Sequence, residues 1–332
     1  MDEGDRSDGR GTARVTAGAR VHFGFSNLSL AHERLYGGLG VAVDRPRTVV
    51  GATPASTVEA PERFADPARR AVEHLGLDGA TVRVEERIPH HVGLGSGTQG
   101  ALATYAAVAA AHGRPVRARD AAPVLGRGGR SGVGVAAFEA GGFVVDAGHP
   151  TGRFTTDRPA DGEWTVPAVA ARHPLPAHWR VLLVEPEAPR GPSGDREDRS
   201  MRSAVEDADP DVADRIAATV LRRVLPAAAE GDLPGFGAAV AEVSRLNGTW
   251  YTDEQGGVFR PPVGPVVEHL ADHPAVHGAG QSSWGPTAFG VTRASDAGAA
   301  REAGRDALRA ADVDGDVRVV EVRNDGARVE RP

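Results

Sequence analysis

Two kinds of hydrophobic spacing alternate along the N-terminal half of the chain and predict its strands and helices. Apolar residues at every second position predict strands over residues 14–25 and 82–88, and one or two strands over residues 37–53, joined at a turn formed by residues 44–46. Helical spacing predicts helices over residues 61–75 and 119–125, and an alanine-rich stretch predicts a longer helix that ends near residue 112. Residues 141–147 are predicted to form a buried strand.

The C-terminal half places helices between short apolar runs. Helices are predicted over residues 211–230, 233–247, 262–271 and 296–311, and strands over residues 179–185, 287–291 and 316–322. This order predicts an α+β domain of ferredoxin-like arrangement. We expect a disordered tail at residues 1–13, an N-terminal domain at residues 14–172 and a C-terminal domain at residues 173–332. The charged, apolar-poor segment 186–200 is predicted to be a mobile flap.

A glycine-rich loop, Pro-His-His-Val-Gly-Leu-Gly-Ser-Gly-Thr-Gln-Gly-Ala at residues 89–101, lies between a predicted strand and the longest helix. Glycine allows a backbone to adopt positive φ and to point successive N–H groups at one anion, and the N-terminus of the following helix favours negative charge. The predicted phosphate-binding residues are Gly93, Leu94, Gly95, Ser96, Gly97 and Thr98. A plain glycine-rich turn, in which Ser96 or Thr98 caps the helix, remains the alternative.

Composition excludes several classes of protein. The 332 residues suffice for two medium-sized domains, and a net charge of −7 argues against a nucleic-acid partner. The chain has no cysteine and no lysine, which excludes disulfides, thiolate and Schiff-base chemistry and a Walker loop, and leaves arginine to bind anions. Apolar runs are too short to span a membrane. We therefore expect a soluble, cytoplasmic protein with no membrane partner.

The order Pro-x-x-x-Gly-Leu-Gly-Ser-Gly resembles the phosphate loop of the GHMP kinase superfamily, named after its galactose, homoserine, mevalonate and phosphomevalonate kinases. Two further blocks, at residues 20–30 and 278–287, resemble the N-terminal and C-terminal blocks of that superfamily and stand in the same order. The resemblance covers nearly the whole chain and implies a GHMP kinase-like two-domain fold.

Residues 126–149 and 281–287 resemble one branch of the superfamily, the β-ribofuranosylaminobenzene 5′-phosphate synthases. This resemblance implies a decarboxylating ribosyl transferase of methanopterin-type biosynthesis. Such an enzyme joins 5-phosphoribosyl 1-diphosphate to 4-aminobenzoate or 4-hydroxybenzoate and releases carbon dioxide and pyrophosphate. It also implies small-molecule substrates and a homodimer, and we expect Mg²⁺ to share the charge of the diphosphate.

One residue separates this function from that of a kinase. Mevalonate-kinase-like members carry Ser-Gly-Val-Asp, in which the aspartate is the base, whereas Gly134 follows Ser131-Gly132-Val133 here. Because the transferase restores aromaticity by losing carbon dioxide, it needs no strong base. An ATP-dependent small-molecule kinase and a catalytically silent phosphoribosyl-ligand binder remain the alternatives.

The candidate site residues combine cations, hydroxyls and imidazoles from all three blocks. Guanidinium groups pair bidentately with phosphate or carboxylate, and imidazoles can orient a substrate or donate a proton. The predicted catalytic residues are Arg130, Ser131, His22 and His149. The substrate-binding residues predicted beside the central loop are Arg127, Arg20, Ser282, Ser283, Trp284 and Thr287. Glu139 and Asp146 are the predicted metal ligands.

Overall fold

Two β-sheets form the framework of the protein, whose computed structural model describes residues 11–152, 160–189 and 195–331. The strands of the first sheet are β1 (Ala13–Asn27), β2 (Arg34–Pro54), β3 (Val58–Glu59), β4 (Ala80–Glu86), β5 (Phe143–Asp146), β6 (His149–Pro150), β7 (Val169–His173) and β12 (Arg328–Glu330). Their order is β12-β1-β2-β4-β3; in addition, β5 and β6 pair with β2, and β7 pairs with β5. The pairs are antiparallel except for β3 with β4.

The strands of the second sheet are β8 (Trp179–Pro186), β9 (Ala279–Gln281), β10 (Ala288–Arg293) and β11 (Gly315–Glu321). Their order is β11-β8-β10-β9, and each neighbouring pair is antiparallel. Along the chain, helices separate the first strand from the second and the third from the fourth. The ferredoxin-like order predicted for the C-terminal half is therefore confirmed.

Helices cover the sheets and supply the ends around which the site is built. They are α1 (Glu62–Leu75), α2 (Ser96–Ala111), α3 (Ala118–Ala121), α4 (Val133–Glu139), α5 (Asp195–Glu206), α6 (Pro210–Thr219), α7 (Leu225–Glu230), α8 (Leu233–Trp250), α9 (Thr252–Gln255), α10 (Val263–Ala271) and α11 (Ala297–Ala310). A π-helical turn, Val220–Val224, joins α6 to α7. Helix α2 is buried from Gln99 to Ala111 because its alanines allow both the first sheet and α1 to approach closely.

An aromatic cluster joins the two sheets in one core. The ring of Phe23 on β1 lies 4.9 Å from that of Phe289 on β10 and 6.0 Å from that of Phe236 on α8. Trp179 on β8 lies 5.1 Å from Phe236. The ring of Phe23 therefore anchors β1 to β10 and α8, next to the β1 residues that line the site.

The structure departs from the sequence prediction in the strands. Strand β2 runs unbroken through residues 44–46, so the turn predicted there was wrong, because pairing with β1 on both sides of that point holds the strand extended. Strands β7 and β12 were not predicted; both are short, and any alternation in them is too brief to detect.

The predicted domain boundary is not tested by the structure, and parts of the predicted tail and flap are not described by it. Strand β12 returns from the chain end to pair with β1, and the division near residue 172 stays a prediction. Residues 1–10 of the predicted tail and residues 190–194 of the predicted flap lie outside the described residues. Gly11 is held by a hydrogen bond from its N–H to the carbonyl of Ala111. Across the described ranges, each helix is too short or too polar to cross a bilayer.

Candidate active site

The central loop turns sharply into α2 by using two glycines of positive φ. Gly93 has φ 91° and Gly95 has φ 80°, and helix α2 begins at the next residue, Ser96. A Cβ on Gly93 would lie 2.2 Å from the carbonyl oxygen of Ser282, so only glycine allows the loop to pack against that segment. The first N–H groups of α2 therefore open onto the space in front of the loop.

A cleft of about 610 Å³ lies in front of this loop, enclosed by β1, the glycine-arginine loop at residues 126–132 and the segment at residues 283–285. Its walls bring together most of the residues predicted from the sequence. The predicted residues that line it are Arg20, His22, Gly93, Gly95, Ser96, Gly97, Thr98, Arg127, Arg130, Ser131, Ser283 and Trp284.

Three of the predicted binding residues hold the loop in place from behind. Ser282 Oγ accepts from the N–H of His22 at 3.1 Å and donates to the carbonyl of Gly93 at 2.8 Å. Thr287 Oγ donates to the carbonyl of Val92 at 2.6 Å, and Leu94 is buried in the core. All three side chains are almost fully buried, so they position the loop that faces the cleft.

Three arginines, one on β1 and two on the loop at residues 126–132, line the cleft. Arg20 Nη1 donates to the carbonyl of Gly93 at 2.6 Å, which holds this guanidinium along the loop. Arg127 Nη1 lies 2.9 Å from the position that a Cβ on Gly97 would occupy. Arg130 forms an ion pair with Asp198 of α5 and also hydrogen-bonds the hydroxyl of Tyr36. Burial nevertheless raises the pKa of Tyr36, so this phenol stays neutral.

Sequence reasoning missed Arg70 and Asp198. Arg70, expected to be solvated, donates to Asp161 at 2.8 Å and to the carbonyl of Val124 at 2.9 Å, and it lines the cleft. Asp198 lies in the segment predicted to be a flap. Nothing local distinguishes either residue from an exposed helical charge, because the tertiary fold supplies their partners.

A buried hydrogen-bonded chain runs from His22 through Ser131 to Asp146. Ser131 Oγ donates to Asp146 Oδ2 at 3.2 Å and lies 3.1 Å from Nε2 of His22, which leaves His22 to donate to the hydroxyl. The N–H groups of Gly132 and Gly148 donate to the two carboxylate oxygens of Asp146 at 2.7 and 2.9 Å. The carboxylate therefore anchors the loop that carries Arg127 and Arg130.

Burial controls the charges of this chain. Desolvation, opposed by backbone N–H donors and the hydroxyl of Ser131, raises the pKa of Asp146 to about 6. Burial, with a smaller contribution from the charge of Arg20, holds the pKa of His22 well below its ordinary value. At neutral pH this hydrogen-bonded chain thus links the neutral imidazole of His22 to the ionised carboxylate of Asp146 through the hydroxyl of Ser131.

Known proteins of the same architecture identify the family. The family model described as the N-terminal domain of GHMP kinases matches residues 63–142. A β-ribofuranosylphenol 5′-phosphate synthase from Methanothermobacter thermautotrophicus is 33% identical over 294 residues, which are 84% of this chain and 88% of that protein. One from Archaeoglobus fulgidus is 32% identical over 96% of this chain and 99% of its own length. The chain belongs to this synthase family.

Solved structures show the fold that the synthase family shares with kinases. Homoserine kinase from Cytophaga hutchinsonii matches with a TM-score of 0.64 and 17% identity, over 99% of this chain and all of that one. Galactokinase from Lactococcus lactis matches with a TM-score of 0.67 and 12% identity, over 96% and 95% of the two chains. The GHMP kinase-like fold is confirmed.

Gly134, at the position where mevalonate-kinase-like members carry their base, packs closely against α2. A Cβ on Gly134 of α4 would lie 3.1 Å from Cγ2 of Thr98, in the first turn of α2. The carbonyl of Gly134 also accepts from the side-chain amide of Gln99 at 2.8 Å. Helices α4 and α2 therefore approach closely at this point, and a side chain at residue 134 would require Thr98 to shift by a few tenths of an ångström.

The remaining predicted residues lie away from the walls of the cleft, as far as the described residues define them. His149 is buried on β6, where its backbone pairs with Leu35 of β2. Glu139 forms an ion pair with Arg119 at 2.9 Å. The structure does not bring Glu139 and Asp146 together as a metal site, because one is paired with an arginine and the other is buried and satisfied by N–H donors.

The described residues contain no group of three or more His, Cys, Asp or Glu side chains that could hold a metal ion. Glu139 and Asp146 do not fit the role of Mg²⁺ ligands, and Mg²⁺ itself stays a prediction.

Proposed function

We propose that this chain transfers a 5-phosphoribosyl group from 5-phosphoribosyl 1-diphosphate to 4-hydroxybenzoate, with release of carbon dioxide and pyrophosphate. The relatives are named for a ribofuranosylphenol 5′-phosphate, and a product of that kind retains a phenolic hydroxyl. Because loss of the carboxylate from 4-hydroxybenzoate leaves this hydroxyl, we favour it over 4-aminobenzoate as the acceptor.

The cleft supports this function by its concentration of anion-binding groups. The N-terminus of α2 and the glycine loop would hold the diphosphate, with Arg20 and Arg127 on either side. Negative charge grows on the diphosphate oxygens as the bond to the anomeric carbon breaks. N–H and guanidinium groups that are fixed around these oxygens therefore stabilise the transition state more than they stabilise the bound substrate. The cluster of arginines around the α2 N-terminus is the observation that carries the proposal.

The chemistry needs no protein base. The bond between the anomeric carbon and the diphosphate oxygen breaks, and its electron pair leaves with pyrophosphate. The ring carbon that bears the carboxylate forms the new bond with ring electrons. The bond to the carboxylate then breaks as carbon dioxide, and its electron pair restores aromaticity. Gly134, which stands where mevalonate-kinase-like members carry a base, has no side chain and is compatible with this order of steps.

His22 and Ser131 act in this scheme by positioning. Ser131 Oγ donates to Asp146 and accepts from Val133 N at 3.3 Å and from His22, so its bonding capacity is used. The hydroxyl is therefore assigned to holding residues 126–132 against β1, which sets the direction of the two arginines. The neutral imidazole of His22 adds no charge beside a cationic transition state.

The test is a product assay on the purified protein with Mg²⁺, the donor and each benzoate. We expect carbon dioxide and pyrophosphate in equal amounts, with 4-hydroxybenzoate preferred. Phosphate transfer from ATP to a small alcohol, without these products, would instead establish a kinase. Binding of the donor without turnover would establish a silent binder.

Four further properties belong to the proposal through the family resemblance. The enzyme would serve methanopterin-type biosynthesis, act in the cytoplasm, work as a homodimer and use Mg²⁺ carried by the diphosphate. Size-exclusion chromatography with light scattering tests the dimer, and omission of Mg²⁺ from the product assay tests the ion.

A further inference from the structure

A second, smaller pocket opens beside the cleft and shares His22, Phe25, Ser283 and Trp284 with it. Its volume is about 40 Å³, which suits one end of a planar ring better than a sugar phosphate. The shared residues form the boundary between the two spaces, so a molecule that enters the small pocket keeps its other end in the cleft.

The lining of this pocket is strongly enriched in aromatic side chains. Five of its fourteen lining residues are Phe, Tyr or Trp, whereas such residues make up 5% of the chain. The rings of Tyr251 and Trp284 meet edge to face at 4.5 Å, and those of His22 and Phe25 do so at 5.0 Å. A flat aromatic ligand packs well among rings arranged in this way.

The polar side chains of the pocket differ in what they can offer a ligand. The amide of Asn247 is engaged by the backbone of Phe25, and that of Gln255 donates to the carbonyl of Val258 at 2.8 Å. Ser244 Oγ accepts from the N–H of Gln281 at 3.1 Å, a bond that does not use the hydroxyl proton of Ser244. The hydroxyl can therefore also hydrogen-bond a polar group at the end of a ring.

We propose that this pocket binds the para end of the aromatic acceptor, with Ser244 hydrogen-bonded to its para substituent and the carboxylate-bearing carbon left in the cleft. The inference rests on the proposed transferase function and adds the acceptor site to it. This arrangement directs the reacting carbon toward the glycine loop and the N-terminus of α2, where the ribosyl donor is proposed to lie. It also makes Ser244 a specificity-determining residue.

Three variants test the pocket through separate kinetic constants for the acceptor and the donor. Val258→Phe fills the pocket, and we expect the acceptor KM to rise about tenfold or more while the donor KM changes less than about twofold. Ser244→Ala removes the hydrogen bond to the acceptor, together with the one from the N–H of Gln281, and should raise the acceptor KM roughly two- to tenfold. Phe259→Ala enlarges the pocket and should improve the use of 4-hydroxy-3-methylbenzoate relative to 4-hydroxybenzoate.

Matched controls place the same changes elsewhere. Val169→Phe lies on β7, where Val169 is 40% exposed, and Ser295→Ala lies at an exposed position before α11. Both should leave the acceptor KM unchanged. Heat stabilisation of each variant by the donor shows whether the cleft is intact.

The outcomes separate the pocket from the transferase. An unchanged acceptor KM in both Val258→Phe and Ser244→Ala, or an equal rise in both KM values, overturns the pocket while the transferase stands. If the wild-type protein releases no pyrophosphate with either benzoate, the transferase fails. Calorimetric binding of 4-hydroxybenzoate then decides the pocket alone: weaker binding by both variants supports it, and unchanged binding overturns it.

Discussion

The Cβ that Gly38 lacks would lie 2.2 Å from Oγ of Ser131 and 2.9 Å from Nε2 of His22. Gly38 sits on β2 between these residues and Asp146, whose Oδ2 would be 2.9 Å from the same atom. The hydrogen-bonded chain from His22 to Asp146 therefore occupies space that exists because residue 38 has no side chain.

Replacing Gly38 should disrupt the hydrogen-bonded chain from His22 to Asp146. We expect Gly38→Ala to lower the free energy of unfolding by about 1–3 kcal/mol, because the added methyl group overlaps buried atoms. Activity should fall with it, since the loop carrying Arg127 and Arg130 loses its anchor. Gly51→Ala on the same strand is the matched control, because its nearest heavy atom would be 3.8 Å away. Urea unfolding measures the stability of both variants, and equal stability of Gly38→Ala and Gly51→Ala would contradict the proposed overlap.

The central loop allows a comparison between two glycines of similar backbone conformation. Gly95 has φ 80° and Gly76, at the end of α1, has φ 61°, so alanine strains either backbone by about 1–2 kcal/mol. A Cβ on Gly95 would lie 3.0 Å from Cγ of Arg20, whereas one on Gly76 would have no heavy atom within 4 Å. We expect Gly95→Ala to weaken donor binding by roughly tenfold or more. Gly76→Ala should lose stability and keep donor affinity, as calorimetric titration would show.

Arg130 is held by Asp198 until an anion competes for it. Arg130→Ala should raise the donor Kd roughly 10- to 100-fold, because a charge-assisted hydrogen bond contributes about 1.5–3 kcal/mol. Asp198→Asn should leave the donor Kd unchanged or lower it, since it removes the competing carboxylate. The exposed Arg301 of α11 provides the control Arg301→Ala. An unchanged or lower donor Kd in Arg130→Ala would remove this arginine from the site.

How much of this site is visible in the sequence depends on the range of its contacts. The loop from Gly93 to Thr98 could be predicted because positive φ and a helix N-terminus are local requirements of the chain. The cluster of Arg20, Arg127 and Arg130 followed from the family resemblance, which joins blocks that are distant in sequence. The α+β class and the ferredoxin-like order followed from hydrophobic periodicity.

The contacts that fix the charge states could not be predicted. Asp146 was expected to bind a metal, and only the fold shows that the N–H groups of Gly132 and Gly148 occupy its oxygens. The double glycine at residues 37–38 was the one available signal, since a glycine within a strand marks the close approach of other atoms. Without the fold, nothing indicated that those atoms belong to Ser131 and His22.

The buried carboxyl of Asp146 should give the enzyme an acid limit near pH 6. Burial raises its pKa to about 6, and below that pH the protonated group accepts more weakly from Gly132 and Gly148. His22 does not contribute in this range, because burial keeps its pKa well below the ordinary value. We expect kcat/KM for the donor to fall as the pH is lowered, with a midpoint near pH 6. The Asp146→Asn variant should lose this pH dependence, together with most of the activity at pH 7.

Stability should respond to the same group in the opposite direction. Because the pKa of Asp146 in the folded protein, about 6, exceeds its ordinary value of 3.8, the folded state binds the proton more tightly than the unfolded chain. The protonated Asp146 therefore stabilises the folded state relative to the ionised group. This stabilisation is complete below about pH 4 and is lost as the pH rises through about 6, which changes the free energy of unfolding by about 3 kcal/mol. Urea unfolding of the wild-type protein and Asp146→Asn between pH 4 and pH 7 measures it, because other titrating groups cancel in the difference. A difference that stays constant across this range would show that Asp146 titrates near its ordinary pKa, and it would contradict the predicted acid limit near pH 6.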